Sequence, residues 1–377
     1  MDMRHFLKPL RRGRAFTLVE LLLSMSVLAI IMVLMADVVV RTQNTMSQAT
    51  AHVGEFQEAR AALDAVSSSL SQAVMDASWS YKRNAAGAAT GYERVLDHHF
   101  ILGPASDLVG AGAEAGQATF FQAPLGFAGS FTDSAGSGAP AVPGTERLHA
   151  LMNNWGFYVK YDTDLTYRPG FLKDGTATKL YPERKRFRLM QYSQPAEKSI
   201  LYSKTFALNR KTAKAQALQW YQTDLAANSR PVAENILAMV LVPYSANVTV
   251  TNSGEGYSDV KVEPDPLYAY DTRDFQWNGS NAVSSSRRHQ LPPKVLVTLF
   301  ASEEKSYDKY VASSGDDEDA AAQKVRDVFK GRFTKYTDYE KDMTEVEKAL
   351  GDLGLHFKAL NATVTLRSGK WITEVTP

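Results

Sequence analysis

The chain has 377 residues, 44% hydrophobic and 22% charged, with 42 Lys+Arg against 41 Asp+Glu and no cysteine. That balance suits one large globular domain or two ordinary ones, and it argues against a disordered tail protein, a multi-span transporter and a strongly basic nucleic-acid binder. The absence of cysteine removes disulfides, thiol catalysis, iron–sulfur clusters and cysteine-based zinc sites together.

The mean hydropathy of -0.27 averages over two very different parts. Residues 1–15 carry Arg4, Lys8, Arg11, Arg12 and Arg14 against Asp2 alone, a local charge of +4, so the remainder of the chain carries −3. Residues 16–40 (FTLVELLLSMSVLAIIMVLMADVVV) follow, interrupted only by Glu20 and Asp37. As a helix this stretch covers about 37 Å, enough to cross a hydrocarbon core of ~30 Å. The cationic flank stays cytoplasmic and everything after Arg41 lies outside. Asp37 and Arg41, spaced i, i+4, are placed to pair where the helix leaves the membrane. A secretory signal would be shorter, with a small-residue cleavage site directly behind it. Here the nearest such sites, Ser47-Gln48-Ala49 and Ala49-Thr50-Ala51, lie beyond both charges. Glu20 is the anomaly, because a carboxylate costs ~2.5–3.5 kcal/mol at the centre of a spanning helix and less near an interface. It calls for a partner.

The run Arg14-Ala15-Phe16-Thr17-Leu18-Val19-Glu20 followed by LLLSMSVLAIIMVLM resembles the class III signal of type IV prepilins and pseudopilins. The resemblance implies that a prepilin peptidase cuts between Ala15 and Phe16 and methylates the new Phe16 amine, leaving Glu20 as the fifth mature residue. It also implies a partner for that carboxylate. In a bundle of apolar helices a lone Glu20 is costly, whereas one paired with a neighbour's terminal ammonium is tolerable. Two positions depart from the family pattern: Ala15 stands where Gly is usual before the cut, and Asp37 where major pilins often have Pro. The competing reading is an uncleaved single-span anchor holding a periplasmic binding or structural domain, with Glu20 at the membrane boundary.

No proline occurs between Pro9 and Pro104. Val53, Phe56, Leu63, Val66, Leu70 and Val74 form one helical stripe, so residues 41–77 are expected to continue the helix as an amphipathic segment laid on a sheet. The remainder, 78–377, reads as a β-rich head. Strand composition marks 98–103, 118–124, 154–164, 185–193, 235–245, 248–254, 292–302 and 356–375. Gly/Ser/Pro-rich connections mark 126–144 and 167–185, and 78–150 reads mostly as loop. A helical insertion occupies about 303–355. The expected fold is α+β, a pilin-like lollipop whose long N-terminal helix, transmembrane in its first half, packs on an antiparallel sheet. The order of RKRFRLMQYSQPAEK (184–198), ENILAMVLVPY (234–244), LPPKVLVTLFASEEKS (291–306) and ATVTLRSGKW (362–371) resembles the J-type minor pseudopilins of type II secretion and the Verru_Chthon cassette protein C family.

The catalytic inventory is thin. His98-His99 would point to opposite faces of a strand and would not chelate one metal. There is no HExxH, GxSxG or GxxxxGK[ST], and Gly110, Gly112 and Gly116 lack dinucleotide spacing. Asp316, Asp317, Glu318 and Asp319 have the oxygen chemistry for calcium, yet they better suit the solvated, acidic start of a helix, and no cofactor is expected. Arg184-Lys185-Arg186-Arg188 and Ser285-Arg287-Arg288-His289 are basic patches, but a mature charge of −3 favours subunit or loop contacts over nucleic acid. Trp155, Trp220, Trp277 and Trp371 are expected in the sheet or at its rim. The sequence therefore describes a protein that is assembled rather than catalytic. Its expected partners are the prepilin peptidase, other pilin-like subunits and inner-membrane lipid. Its head lies outside the cytoplasm, first at the inner membrane and then in a periplasmic or surface filament.

Overall fold

A computed structural model describes residues 17–75, 78–83, 86–95, 98–110, 116–127, 149–173, 180–202, 218–249, 259–272, 290–315 and 317–368. The chain divides into two compact units, residues 1–54 and 55–377. One helix, α1 (Leu18–Ser71), contributes to both.

In the first unit, Leu18–Gln43 is long and apolar enough to cross a membrane, 26 residues at mean hydropathy 2.6 with none of the span buried. Its apolar side chains occupy every side of the helix, which is the pattern of a helix surrounded by lipid or by other helices. Ser24 and Ser26 donate to the carbonyls of Leu21 and Leu23, and Thr42 to that of Val38, so these hydroxyls need no outside partner.

In the second unit, α1 buries Ala59, Ala62, Leu63, Val66 and Leu70. The expected stripe is present at Leu63, Val66 and Leu70, while Phe56 and Val74 are half-buried and the Val53 side chain lies outside the described residues. Each fully buried Val or Leu contributes about 1.5–3 kcal/mol, far more than helix propensity does. The helix ends at Ser71, short of the expected 77. The Ser71 hydroxyl and the Gln72 amide both donate to the Ser68 carbonyl, the last turn tightens to i→i+3 bonds, and Val74 N–H leaves to bond the Gln122 carbonyl at 3.0 Å.

Among the described residues the head contains three antiparallel sheets. β1 (Ser78–Arg83) and β2 (Ala89–Val95) form a two-stranded ribbon. A six-stranded sheet is built from β3 (Ile101–Pro104), β4 (Gln117–Phe127), β5 (His149–Thr163), β6 (Lys185–Gln194), β7 (Ser229–Glu234) and the two-residue β10 (Tyr270–Asp271), in the order β10-β3-β4-β5-β6-β7. A four-stranded sheet has the order β12-β11-β8-β9, from β8 (Ile236–Thr249), β9 (Asp259–Pro264), β11 (Lys294–Ser302) and β12 (Phe357–Thr365). The arrangement, a long apolar N-terminal helix followed by antiparallel sheets, is α+β and pilin-like, as expected. Within 78–150, β3 and β4 are the strands expected at 98–103 and 118–124, while β1 and β2 are strands where loop was expected; of the connection 126–144, residues 128–144 lie outside the described residues.

The main core joins one face of the six-stranded sheet (Phe157, Val159, Phe187, Leu189) to β8 and β11 of the second sheet, to α1, and to the insertion. That insertion comprises α2 (Glu304–Ser314), α3 (Glu318–Phe329) and α4 (Tyr339–Asp352), within the expected bounds. The opposite face of the six-stranded sheet has its own smaller core. There Phe120, Tyr158, Met190 and Tyr192 are covered by Leu201 and by Leu218, Trp220 and Tyr221 from the turn ahead of β7. Tyr221 stacks on Phe120 with ring centroids 3.8 Å apart. Gly116 (φ 105) is required where it sits: a Cβ there would lie 2.3 Å from the Met239 carbonyl oxygen.

A row of buried amides crosses this sheet. Gln122, Asn154 and Gln194 are register partners on β4, β5 and β6. Gln122 donates to Asn154 at 3.2 Å, Asn154 donates to Gln194 and to the Ser199 hydroxyl at 2.8 Å each, and Gln194 donates to Asp224 at 3.3 Å. At the other end Gln122 accepts the His99 backbone N–H at 2.7 Å. Such a network fixes register, because slipping a strand by one residue would strand every member unbonded.

Candidate functional site

Ala15 and Phe16, the expected cleavage and methylation site, lie outside the described residues. The helix begins immediately after them. Thr17 caps it: its hydroxyl accepts the Glu20 N–H at 3.3 Å, and its carbonyl accepts Glu20 N–H at 3.1 Å and Leu21 N–H at 3.2 Å. Thr17-Leu18-Val19-Glu20 thus has the spacing of a capping box, and the Glu20 carboxylate sits in the first turn, where the helix dipole favours negative charge. Sequence reasoning assigned Glu20 to subunit pairing; its place in the cap is a second reason for a carboxylate at that position. Glu20 is exposed, as are the described side chains around it. At the far end of the span Arg41 Nε donates to Asp37 Oδ2 at 2.9 Å, so the expected i, i+4 pair forms.

Residues 10–36 match the prokaryotic N-terminal methylation motif. No curated protein and no solved structure matches the chain. The motif covers the basic flank, Ala15, Phe16, Glu20 and most of the apolar span, and it marks a prepilin-like, type IV pilin-like N-terminus. A prepilin-type motif implies processing by prepilin peptidase and assembly with other pilin subunits, and together with the apolar helix it fits a membrane-anchored protein.

Two of the three charged features of the prepilin-like protein's head prove to be one. The basic run on β6 faces the acidic start of the insertion. Arg184 pairs with Glu304 and Lys185 with Asp319, both at 2.7 Å, and Arg186, nearly buried, bridges Asp308 of α2 and Glu318 of α3. Arg188, 1% exposed, binds Glu234 at 3.0 Å and the Asp162 and Arg184 carbonyls. Arg186 also lies over the Tyr307 ring, 5.5 Å from its centroid. The basic run is therefore paired within the chain: Arg184, Lys185 and Arg186 tie the insertion to the sheet, Arg188 ties β6 to β7, and Glu318 and Asp319 each engage a cation. Asp316 and the second basic run, 285–289, lie outside the described residues. The exposed pairs at Arg184 and Lys185 contribute little, whereas Arg186 is held away from water. Arg186→Met should lower unfolding stability by about 2 kcal/mol. Hydrogen exchange should report the loss first in 304–329, and unchanged protection there would contradict a clamp.

His98 and His99 precede β3 rather than lying on a strand, where they were expected to point to opposite faces. His99 is fully buried. The Trp220 indole N–H donates to its Nδ1 at 3.0 Å, which leaves the proton on Nε2 to donate to Asp271 at 2.7 Å. Both ring nitrogens are engaged, so this histidine–carboxylate pair has no nitrogen to offer as a base. Burial pushes the Tyr158 phenol up to about 12 and raises Tyr192 and Tyr221 as well, and their hydroxyls donate to the Ser229 hydroxyl and to the Trp220 and Leu108 carbonyls respectively. Trp155 is half-buried in β5, Trp220 packs under the sheet rather than in it, and Trp277 and Trp371 lie outside the described residues.

In the β5–β6 connection, burial alone would raise the Asp164 carboxyl, but the Arg184 N–H and the Arg168 guanidinium hold it below its ordinary value. Arg168 also donates to the Tyr181 and Pro182 carbonyls, stapling the two limbs of the connection together.

Proposed function

We propose that this chain is a pseudopilin-like subunit that is cut by prepilin peptidase before Phe16, methylated on that residue, and assembled through its N-terminal helix into a type II secretion pseudopilus or a type IV pilus-like filament. The observation that carries the reading is the methylation motif over residues 10–36 on a helix whose apolar surface is uncovered. An uncovered apolar helix needs lipid before assembly and other helices after it. The order of segments in the head supports a place near the J-type minor pseudopilins and the Verru_Chthon cassette protein C family. The head is a binding and packing module rather than an enzyme, a reading supported by the amide row, the His99 pair and the Arg186 clamp, whose polar groups engage one another inside the fold. It faces the periplasm or exterior, with inner-membrane lipid and neighbouring subunits as partners.

Mass spectrometry of the mature N-terminus tests the reading. A chain starting at N-methylated Phe16 is expected. An intact Met1 would make the protein an uncleaved anchored domain and overturn the proposal.

A further inference from the structure

Four aromatic rings close a cycle where the β9–β10 connection meets the segment leading into α4, the two joined by the Tyr336 N–H on the Pro266 carbonyl at 3.0 Å. Ring centroids are 6.3 Å apart for Tyr268–Phe333, 6.2 Å for Phe333–Tyr339, 5.8 Å for Tyr339–Tyr336 and 6.4 Å for Tyr336–Tyr268. The middle of a square with such sides lies about 4 Å from each centroid, inside the ~6 Å reach of a cation–π contact. Tyr268 and Phe333, 1% and 2% exposed, are the buried side of the cycle. Tyr336 and Tyr339 are half-buried and give it an opening to solvent.

Both buried members hold left-handed backbone, Tyr268 at φ 49 and Phe333 at φ 53. That conformation costs ~1–3 kcal/mol for a ring-bearing residue and collects at ligand clamps. The Tyr268 hydroxyl is buried and meets no hydrogen-bond partner among the described residues. The outer hydroxyls are engaged: Tyr339 lies 3.5 Å from Thr298 Oγ1, and Tyr336 shares a hydrogen bond with Tyr244. Asp342, nearly buried, accepts the Phe333 N–H on Oδ2 at 2.7 Å. Burial first, then Asp342, Tyr339, Tyr336 and Asp338, raise the Tyr268 phenol, so the surroundings favour a cation. The adjacent Tyr244 ring already holds one, with Lys294 Nζ 4.2 Å from its centroid. Among the described residues no cation lies over the four rings of the cycle.

We propose that this cycle is a binding site for a primary alkylammonium, the group that ends a lysine side chain. The cation sits among the four rings, one N–H is donated to the Tyr268 hydroxyl oxygen, and Asp342 balances the charge. A neutral guest would leave that carboxylate uncompensated, and a quaternary ammonium has no N–H for Tyr268. The site lies in the head, and its operation does not depend on how the N-terminus is processed or assembled.

Calorimetric titration of n-butylammonium, charged at pH 7, into the full-length chain in detergent tests the site. Saturable one-site binding is expected, about tenfold tighter than for n-butanol or tetramethylammonium. Tyr268→Phe removes only a hydroxyl without a partner, so the free chain should unfold at the same midpoint or higher, while butylammonium binding weakens about fivefold. Asp342→Asn keeps an oxygen for the Phe333 N–H and should weaken binding about tenfold, the equivalent of ~1.4 kcal/mol. A capped Gly-Lys-Gly peptide distinguishes the source: binding tighter than butylammonium supports a site for a partner polypeptide's lysine, and weaker binding supports one for a free amine. No saturable binding, equal affinity for n-butanol, or an affinity unmoved by either substitution would overturn the site. So would a Tyr268→Phe chain that is less stable when free, because the hydroxyl would then be bonded within the fold.

Discussion

A Glu20→Ala chain should enter the membrane and be processed at the normal level, while its recovery in assembled filaments falls by about 100-fold or more. Insertion is spared because the substitution makes the span more apolar. Assembly is not, because the neighbour's terminal ammonium is left without a counter-charge in an apolar bundle, a defect worth about 3–5 kcal/mol, and each ~1.4 kcal/mol is tenfold. Loss of the carboxylate from the first turn costs only a few tenths of a kcal/mol in helix stability, too little to explain a failure of that size. Membrane fractionation against filament recovery measures both quantities in one culture. Assembly at the normal yield would remove the pairing role from Glu20.

Trp220→Ala should be the most damaging single truncation in the head, lowering unfolding stability by about 3–5 kcal/mol. Trp220 is 1% exposed, packs edge-on against Phe120 and Tyr221, and supplies the donor to His99 Nδ1. The substitution opens a cavity under the six-stranded sheet and leaves a buried imidazole nitrogen unbonded, two penalties that add. Trp220→Phe keeps much of the volume but not the donor, so it should cost about 1–2 kcal/mol, and the difference between the two isolates packing from the hydrogen bond. Chemical denaturation followed by tryptophan-independent circular dichroism reads both. Equal losses for the two variants would show that the indole N–H, not the ring, carries the site.

How much of this was legible beforehand depended on whether the signal was local. The span and the Asp37–Arg41 pair are properties of a single helix, and charge and apolar content along the chain specify them directly. The α1 stripe at Leu63, Val66 and Leu70 was legible for the same reason, since helical period alone puts those residues on one side. The helical insertion also carries its own period, and α2 to α4 fall within the expected 303–355. The strands at 78–95 were not legible, because Ser, Gly and charged residues dominate them and only their mutual pairing makes them strands. β7 and β9 were missed likewise, each a six-residue edge strand made a strand by its pairing with β6 or β8.

Charge and aromatic chemistry in the head were misread wherever the partner was far along the chain. Arg186 and Glu318 are 132 residues apart, and His99 and Asp271 are 172 apart. Read singly, each looks like a surface feature open to metal, nucleic acid or a subunit; brought together, each is the other's counter-charge.

The sequence by itself determined that this chain has a cationic leader, a prepilin-like apolar helix with Glu20 near its start and a β-rich head without cysteine. These follow from residue order, because a spanning helix satisfies its own backbone and needs only local composition to exist. Only the tertiary structure decided what the head's polar residues do. Arg186 on β6 holds the insertion, Gln122, Asn154 and Gln194 lock the register, and His99 joins Trp220 to Asp271. A buried polar group is defined by its partner, and in a sheet the partner comes from whichever strand the fold places alongside.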